Sequence, residues 1–269
     1  MDLPQMTDTD FGQVRDLMRH VSGITMAHHK KQLVAGRLIK RLRALGLETF
    51  RDYVLLLQRP EQHEERRLAV DLLTTNETFF FREEGHFHFL RAYLLDRESS
   101  PLRIWSAACS SGEEVYSLAM LLDSLLPCSN SWSLVGSDLC RHVLETAQSG
   151  IYPLSRAKAI PEEMLRKYCL KGVGSMDGYL QIQALLRQRV SFRCINLNDA
   201  LPPDMPMFDV IFLRNILIYF DQTGKRELVS RVISRLQPGG YLFIGHSESL
   251  YGLNLPLTSC GSAVYYKEG

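Results

Sequence analysis

The sequence predicts an α/β protein: a doubly wound, Rossmann-like sheet, preceded by a small all-helical domain and carrying a small antiparallel β subdomain as an insertion. Three observations predict it. Residues up to about 90 show helical periodicity only; from Leu102 the chain alternates apolar strands with helices; and LRIWSAACSSGEEVYS, Leu102 to Ser117, runs from a strand through small residues into a helix start. At 269 residues the chain can hold one large domain with a smaller companion. The expected division is residues 1–90 for the helical domain and its linker, 91–269 for the sheet domain, and 165–188 for the insertion.

Each element has a local cause. Asp8 or Asp10 can cap a first helix carrying Phe11, Val14, Leu17 and Met18, with Gly23 as the break. A second helix from about His28 to Leu45 puts Val34, Leu38, Leu42 and Leu45 on one side, and Gly46 stops it. Thr49 can cap a third, bearing Tyr53, Leu56 and Leu57 and ending at Pro60, and a fourth spans Glu64 to Leu73. After the LRIW strand come a helix near Glu113 to Leu126, the SLVGSD strand and a helix from Cys140. RVSFRCIN, FDVIFL and GYLFIG follow as strands, with a helix over Lys225 to Leu236 before Pro238-Gly239-Gly240. Ala263 to Lys267 is expected to return antiparallel beside GYLFIG at the sheet edge. Between Ile160 and Gln188 the rhythm lapses, and KGVGSMDG with YLQIQ reads as the antiparallel excursion.

Composition excludes several classes. Hydrophobic content of 45% and a net charge of +1 speak against disorder and against a globally basic nucleic-acid binder. The six cysteines form neither a C-x-x-C nor a Cys/His ligand spacing, so they read as reduced thiols of a cytoplasmic protein, and no metal site is expected. Pro127-Cys128 shares the dipeptide of cytosine C5 methylases but lies after the wrong element, so Cys128 reads as structural. The start MDLPQMTDTDF lacks the features of a secretory leader, and no apolar run reaches the roughly 20 residues of a membrane span. A G-x-S-x-G elbow, an H-E-x-x-H pair and a P-loop are all missing, which removes support for hydrolase, metalloprotease and NTPase readings.

The small residues Ala107, Ala108, Cys109, Ser110 and Gly112 allow close approach of backbone to a ligand. Glu113 and Glu114 put negative charge on the first helical turn, which disfavours a phosphate and suits a ligand with a cationic end; S-adenosylmethionine (SAM) fits better than NAD. Asp138 ends the second strand, where an acid can accept from both ribose hydroxyls. Asn196 and Leu197 close the next strand and could meet the adenine. Arg214 and Asn215 end the following one, with Tyr219 shortly after, and the Pro-Pro-aromatic tetrad of base amino methyltransferases is absent there. In TNETFFFRE, three successive phenylalanines must put some ring outside a single buried face, flanked by Asn76, Thr78 and Arg82. Between Arg15 and Leu47 there are eight Lys or Arg against one acid, and Lys30, Arg37, Lys40 and Arg41 form a local basic face. Solvent, nucleic acid or an acidic protein helix could meet that face.

With these residues in view, the chain resembles the CheR family of chemotaxis receptor glutamate methyltransferases over nearly its whole length. The matching segments are TNETFFFRE, WSAACSSGEEVYS, Ser137-Asp138, SGIYPLS, Ile195 to Leu197, FDVIFLRNILIYFD and LQPGGYLFIGHSES. Cys109 and Ser111 depart from the family pattern, as does Val115 in place of proline. The resemblance implies a SAM-dependent enzyme, releasing S-adenosylhomocysteine, that esterifies glutamate γ-carboxylates on chemoreceptor cytoplasmic helices. It carries SAM contacts over to Asn76, Thr78, Arg82, Glu114, Asp138, Asn196, Leu197, Arg214 and Asn215, and catalytic roles on the substrate side to Arg82 and Tyr219. Glu113 competes with Glu114 for the cofactor contact. The inserted subdomain is expected to capture a receptor's C-terminal pentapeptide, with Lys171 or Arg187 taking its carboxylate. A nucleic-acid methyltransferase and a catalytically silent SAM-binding adaptor are the alternatives.

Overall fold

A computed structural model describes residues 4–97, 101–126 and 132–268; Cys128 lies outside them. The chain divides into two compact units, one comprising residues 1–75 with Tyr219–Gly224, the other Asn76–Ile218 with residues 225–269. The division thus falls at Thr75/Asn76, not near residue 90, and the TNETFFFRE segment goes with the sheet.

The helical unit contains α1 (Asp8–Ser22), α2 (Lys31–Ala44), α3 (Phe50–Gln58) and α4 (His63–Leu73). Thr7, not Asp8 or Asp10, is the N-cap of α1: its hydroxyl accepts from the Asp10 N–H while the Asp10 carboxylate accepts from the Thr7 N–H, a capping box. Gly23 ends α1 in the left-handed region and Thr49 caps α3, as the sequence predicts. His28–Lys30 form a separate 3₁₀ turn ahead of α2. The interior is made by Phe11, Val14 and Met18, by Val34, Leu38 and Leu42, and by Tyr53, Leu57 and Val70, all buried. Each such side chain contributes about 1.5–3 kcal/mol relative to exposure, against about 0–1 for an exposed ion pair, so the apolar stripes hold the helices together.

Two of the four members of the basic face, Arg37 and Arg41, are engaged inside this unit, which corrects the expectation for them. Arg37 donates to the carbonyls of Leu73 and Thr74, closing the open C-terminus of α4. Arg41 grips the buried Glu65 with Nε and Nη2, and the Tyr53 hydroxyl donates to the same carboxylate at 2.8 Å. Burial would raise the Glu65 carboxyl, but these hydrogen bonds and the Arg41 charge hold it below the usual range. Lys40 and Arg43 remain exposed.

The sheet unit begins with α5 (Glu84–Asp96). It continues through β1 (Leu102–Ala107), α6 (Glu113–Leu125), β2 (Trp132–Asp138), α7 (Arg141–Ser149) and β3 (Ile151–Pro153). Next come α8 (Glu162–Tyr168), β4 (Cys169–Lys171), β5 (Tyr179–Ile182), α9 (Ala184–Arg187) and β6 (Val190–Cys194). The unit is completed by β7 (Phe208–Leu213), α10 (Gln222–Ile233), β8 (Leu236–Ile244), β9 (Thr258–Gly261) and β10 (Val264–Tyr266). The large sheet has the order β6-β2-β1-β7-β8-β10-β9, parallel from β6 to β8. Ile104, Trp105, Val210, Ile211 and Phe212 are buried, the near-continuous apolar signature of strands covered on both faces. The strand before and through Pro238-Gly239-Gly240 begins at Leu236, so α10 stops earlier than the sequence suggests. β10 returns antiparallel to β8 as expected, but β9 lies outside it and forms the edge.

Strand order reverses between β1 and β7, the place at which a doubly wound sheet receives a ligand, at the carboxyl ends of its strands. The insertion is larger than residues 165–188: its antiparallel sheet has the order β3-β5-β4 and recruits Ile151–Pro153 as a flanking strand. Tyr152, Leu180 and Ile182 anchor it in the core, while Leu170 and Val173 stay exposed.

Glu65→Ala is expected to destabilise the protein by about 3 kcal/mol, because Arg41 and Tyr53 lose the partner of a buried pair. Lys40→Ala on the same helix set should stay within about 0.5 kcal/mol. Denaturant unfolding checks both, and equal effects would refute the assignment of Arg41 to the interior.

Candidate functional site

Most of the sequence-predicted site residues converge at the carboxyl ends of β6, β2, β1 and β7. The turn after β1 is tight: Ala108, Ser110 and Gly112 all have positive φ, of 62°, 50° and 91°. A side chain at Gly112 would have its Cβ 2.7 Å from that of Ala147, so only glycine fits. The turn aims the Ser110 N–H at the Asp138 carboxylate, 2.8 Å away, and the other Asp138 oxygen accepts from the Cys140 N–H at 3.0 Å. A carboxylate has room for about four hydrogen bonds, so a ribose contact and these caps are compatible. The Ser110 hydroxyl donates to the Asn76 carbonyl at 3.0 Å, tying TNETFFFRE to this turn.

The two adjacent acids have different fates. Glu113 is fully buried, bonded to Ser111 Oγ at 2.7 Å and paired with Arg156. Glu114 points toward the β1/β7 reversal, accepting from Ser106 Oγ at 2.6 Å and from Arg214 at 3.0 Å. The geometry therefore puts Glu114, not Glu113, at this reversal.

Arg214 is the centre of this edge, with only 2% of its side chain exposed. Its guanidinium bridges Glu114 and Glu83, at 3.0 and 3.1 Å, and also donates to the Arg82 carbonyl. Its Nε is buried and has no acceptor among the described residues. Asn215 follows in a left-handed conformation, φ 58°, with Nδ2 donating to Glu83 at 3.2 Å. The buried Glu248 accepts from the backbone N–H groups of Asn215, Leu217 and Gly245 at 2.9, 2.7 and 2.6 Å. A Cβ at Gly245 would sit 2.4 Å from Asn215 Nδ2 and 2.9 Å from Glu248 Oε2, so a side chain there would displace the groups that join the two loops. Sequence reading missed Glu83, Glu248 and Ser106; an acid four residues beyond a buried strand end was the one available sign of Glu248.

The remaining residues divide. Phe80 is buried, Phe81 packs on Phe87, and Phe79 is the ring left outside, 44% exposed and 5.5 Å beneath the Arg82 guanidinium. Arg82 is half-buried and donates to the Glu77 carbonyl at 3.1 Å, and Thr78, four residues earlier, is also half-buried. Asn196 engages its side chain in a local turn with Asn198 and Asp199, and Leu197 is buried. Tyr219 groups with the helical unit: its carbonyl accepts from the Thr25 N–H and hydroxyl, both at 2.8 Å, and Lys30 lies 5.5 Å over its ring.

Glu83, His86 and His246 bring ligating atoms within 4.8 Å of one another. Arg214 already supplies the positive charge at that carboxylate and would repel a metal cation. SAM fits the chemistry of the edge better: Glu114 and Asp138 suit its ammonium and ribose, and the orphaned Arg214 Nε suits a carboxylate.

Residues 76–266 match the family model described as the CheR methyltransferase SAM binding domain, and residues 9–74 the CheR methyltransferase all-alpha domain. Their junction coincides with the division between the two units. The chain is 38% identical to the chemotaxis protein methyltransferase of Salmonella typhimurium over 97% of its length and 90% of the relative's. It is 39% identical to the Escherichia coli chemotaxis protein methyltransferase over 97% and 91%. Chemotaxis protein methyltransferase 2 of Pseudomonas aeruginosa is 41% identical over 96% and 93%.

His86 offers a pH test of this edge. Burial first, then the Arg214 charge, lowers its imidazole from 6.5 to about 4. The unfolded chain binds a proton that the folded one rejects, so stability is intact above about pH 6.5 and falls as pH drops toward about 4. The slope should approach about 1.4 kcal/mol per pH unit and flatten in His86→Leu. An unchanged slope in that variant would show that His86 does not titrate there.

Proposed function

The chain belongs to the CheR methyltransferase family, a SAM-dependent methyltransferase family of chemotaxis, and on that premise we propose that it methylates glutamate γ-carboxylates on chemoreceptor cytoplasmic helices. The product would be a glutamate methyl ester. The observation that carries the reading is the pair of acids, Glu114 and Asp138, flanking a small-residue turn whose Ser110 hydroxyl is bonded to the segment that carries the half-exposed Arg82. Acids at the strand ends suit a cationic cofactor, and an arginine beside them suits an anionic nucleophile.

SAM, when bound, supplies an electrophilic methyl on its sulfonium. In this reading Asn76, Thr78, Glu114, Asp138, Asn196, Leu197, Arg214 and Asn215 hold it, and Arg82 serves both cofactor and substrate. A glutamate carboxyl, of pKa about 4.3, is ionised at neutral pH, so the attacking oxygen needs no general base. An arginine that gripped this oxygen tightly would lower its nucleophilicity; Arg82, already committed to the Glu77 carbonyl and Phe79 ring, orients rather than quenches it. Tyr219 donates a directional hydrogen bond on the substrate side. Alignment and exclusion of water then supply most of the acceleration, because attack neutralises opposite charges.

Two further contacts belong to the proposal. Of the basic helix, Lys40 and Arg43 are the exposed charges left to meet an acidic receptor helix. The free side of β4 suits a receptor's C-terminal pentapeptide, which would cover Leu170 and Val173; Lys171 is exposed, whereas Arg187 donates to the Ile182 carbonyl.

Tritiated methyl transfer from SAM to a receptor cytoplasmic fragment, with RNA in parallel, should give protein-bound label released by alkali. Alkali-stable label or label on RNA would instead indicate amine or base methylation, and no transfer despite SAM binding would indicate an adaptor. Asp138→Ala should weaken SAM binding by about 1.5–3 kcal/mol, the worth of charge-assisted hydrogen bonds; calorimetry showing wild-type affinity in a folded variant removes Asp138 from the site. Tyr219→Phe keeps the ring under Lys30 and the carbonyl that holds Thr25, so it should retain SAM affinity while turnover falls. Undiminished turnover at saturating substrate would show the hydroxyl to be idle.

A further inference from the structure

Arg82 is carried by an arch of backbone whose own residues disfavour its shape. The residues on either side, Phe81 and Glu83, both have left-handed conformations, with φ of 53° and 60°. Side chains with a Cβ seldom adopt this region, and glycine would take it without steric cost. Phe81 earns its place by packing, because its ring meets Phe87 at 5.1 Å while its N–H donates to Ser117 Oγ at 2.9 Å.

Glu83 is held by its carboxylate instead. That group takes Arg214 at 3.1 Å, Asn215 Nδ2 at 3.2 Å and the His246 N–H at 3.2 Å. Arg214 simultaneously donates to the carbonyl of Arg82. Burial would raise the Glu83 carboxyl, yet the Arg214 charge and these hydrogen bonds hold it below its ordinary value, so it is ionised in the latch. One guanidinium thus secures the side chain of one arch residue and the backbone of the next.

We propose that Glu83 is a positioning residue for Arg82: its carboxylate, gripped by the loops after β7 and β8, closes the strained arch and sets the direction in which the Arg82 guanidinium leaves the backbone. The proposal rests on Arg82 serving the methyl-transfer site and names what holds it there. A glycine at position 83 would be the better residue for the backbone alone; a glutamate is the better one only if the latch matters.

The test uses the full chain, a chemoreceptor cytoplasmic fragment as methyl acceptor, and the variants Glu83→Gln, Glu83→Gly, Arg82→Ala and the double Arg82→Ala/Glu83→Gln. Glu83→Gly relieves the backbone at φ 60° while removing the carboxylate, so it separates loss of the latch from strain in the arch. Both Glu83 variants should keep the Kd for SAM within about threefold while kcat falls roughly 10- to 100-fold, the cost of a misplaced group. In the Arg82→Ala background, adding Glu83→Gln should cost less than about twofold, because the group being positioned is gone. Wild-type kcat in either Glu83 variant overturns the proposal, as does a Glu83→Gln loss undiminished by Arg82→Ala. Full turnover by Arg82→Ala alone overturns the role of Arg82 itself, and is distinguished by needing no change at Glu83.

Discussion

The buried guanidinium of Arg214 is the constraint on which the carboxyl edge of the sheet depends. It sits where β7 ends beside β1, at the reversal of strand order, and two carboxylates from distant parts of the chain meet on it. Glu114 arrives on the first turn of α6 and Glu83 immediately before α5. Taking such charges out of water is costly, and the cost is offset only when geometry and further hydrogen bonds satisfy all of them. Ser106 completes Glu114, while Asn215 and the His246 N–H complete Glu83. Removing Arg214 would leave both carboxylates without their counter-charge, and through it several separate segments of this edge are fixed to one side chain.

The backbone bends to the same requirement. Phe81, Glu83, Ala108, Ser110 and Asn215 all have positive φ without being glycine. Such residues cost about 1–2 kcal/mol each, and they persist where surrounding contacts over-determine them. Here they lie on the turns after β1 and β7 and on the segment that precedes α5. Strain is therefore concentrated at the edge where the ligand is expected, and the well-packed strands behind it supply the stability that tolerates it.

Much of this was legible in the sequence because it depends on local rules. The strand-to-helix junction at Leu102–Ser117, the acid ending β2 and the Arg214-Asn215 pair ending β7 follow from alternation and from where a doubly wound sheet presents its strand ends. What escaped depends on pairing across the chain. Glu83 lies 132 residues from Asn215, and no periodicity shows that an acid there will meet an arginine after a strand. Arg37 and Arg41 fell on the polar side of α2 and read as a binding face; helical spacing cannot show that Glu65 and the end of α4 claim them. The insertion was read short because β3, only three residues long, carries no strand signal of its own.

Arg214→Lys separates the guanidinium from its charge. Lysine keeps the positive charge but is a point donor with no counterpart of the unpartnered Nε, so it cannot pair with Glu114 and also offer a second, fixed N–H to the cofactor's carboxylate. The expected result is a folded protein whose affinity for SAM, measured by calorimetry, falls at least about tenfold, a loss of roughly 1.4 kcal/mol. Wild-type affinity with full carboxyl methylation in that variant would be the contrary result, since the edge would then need only a charge at this position and not the fixed fork of donors that a guanidinium supplies.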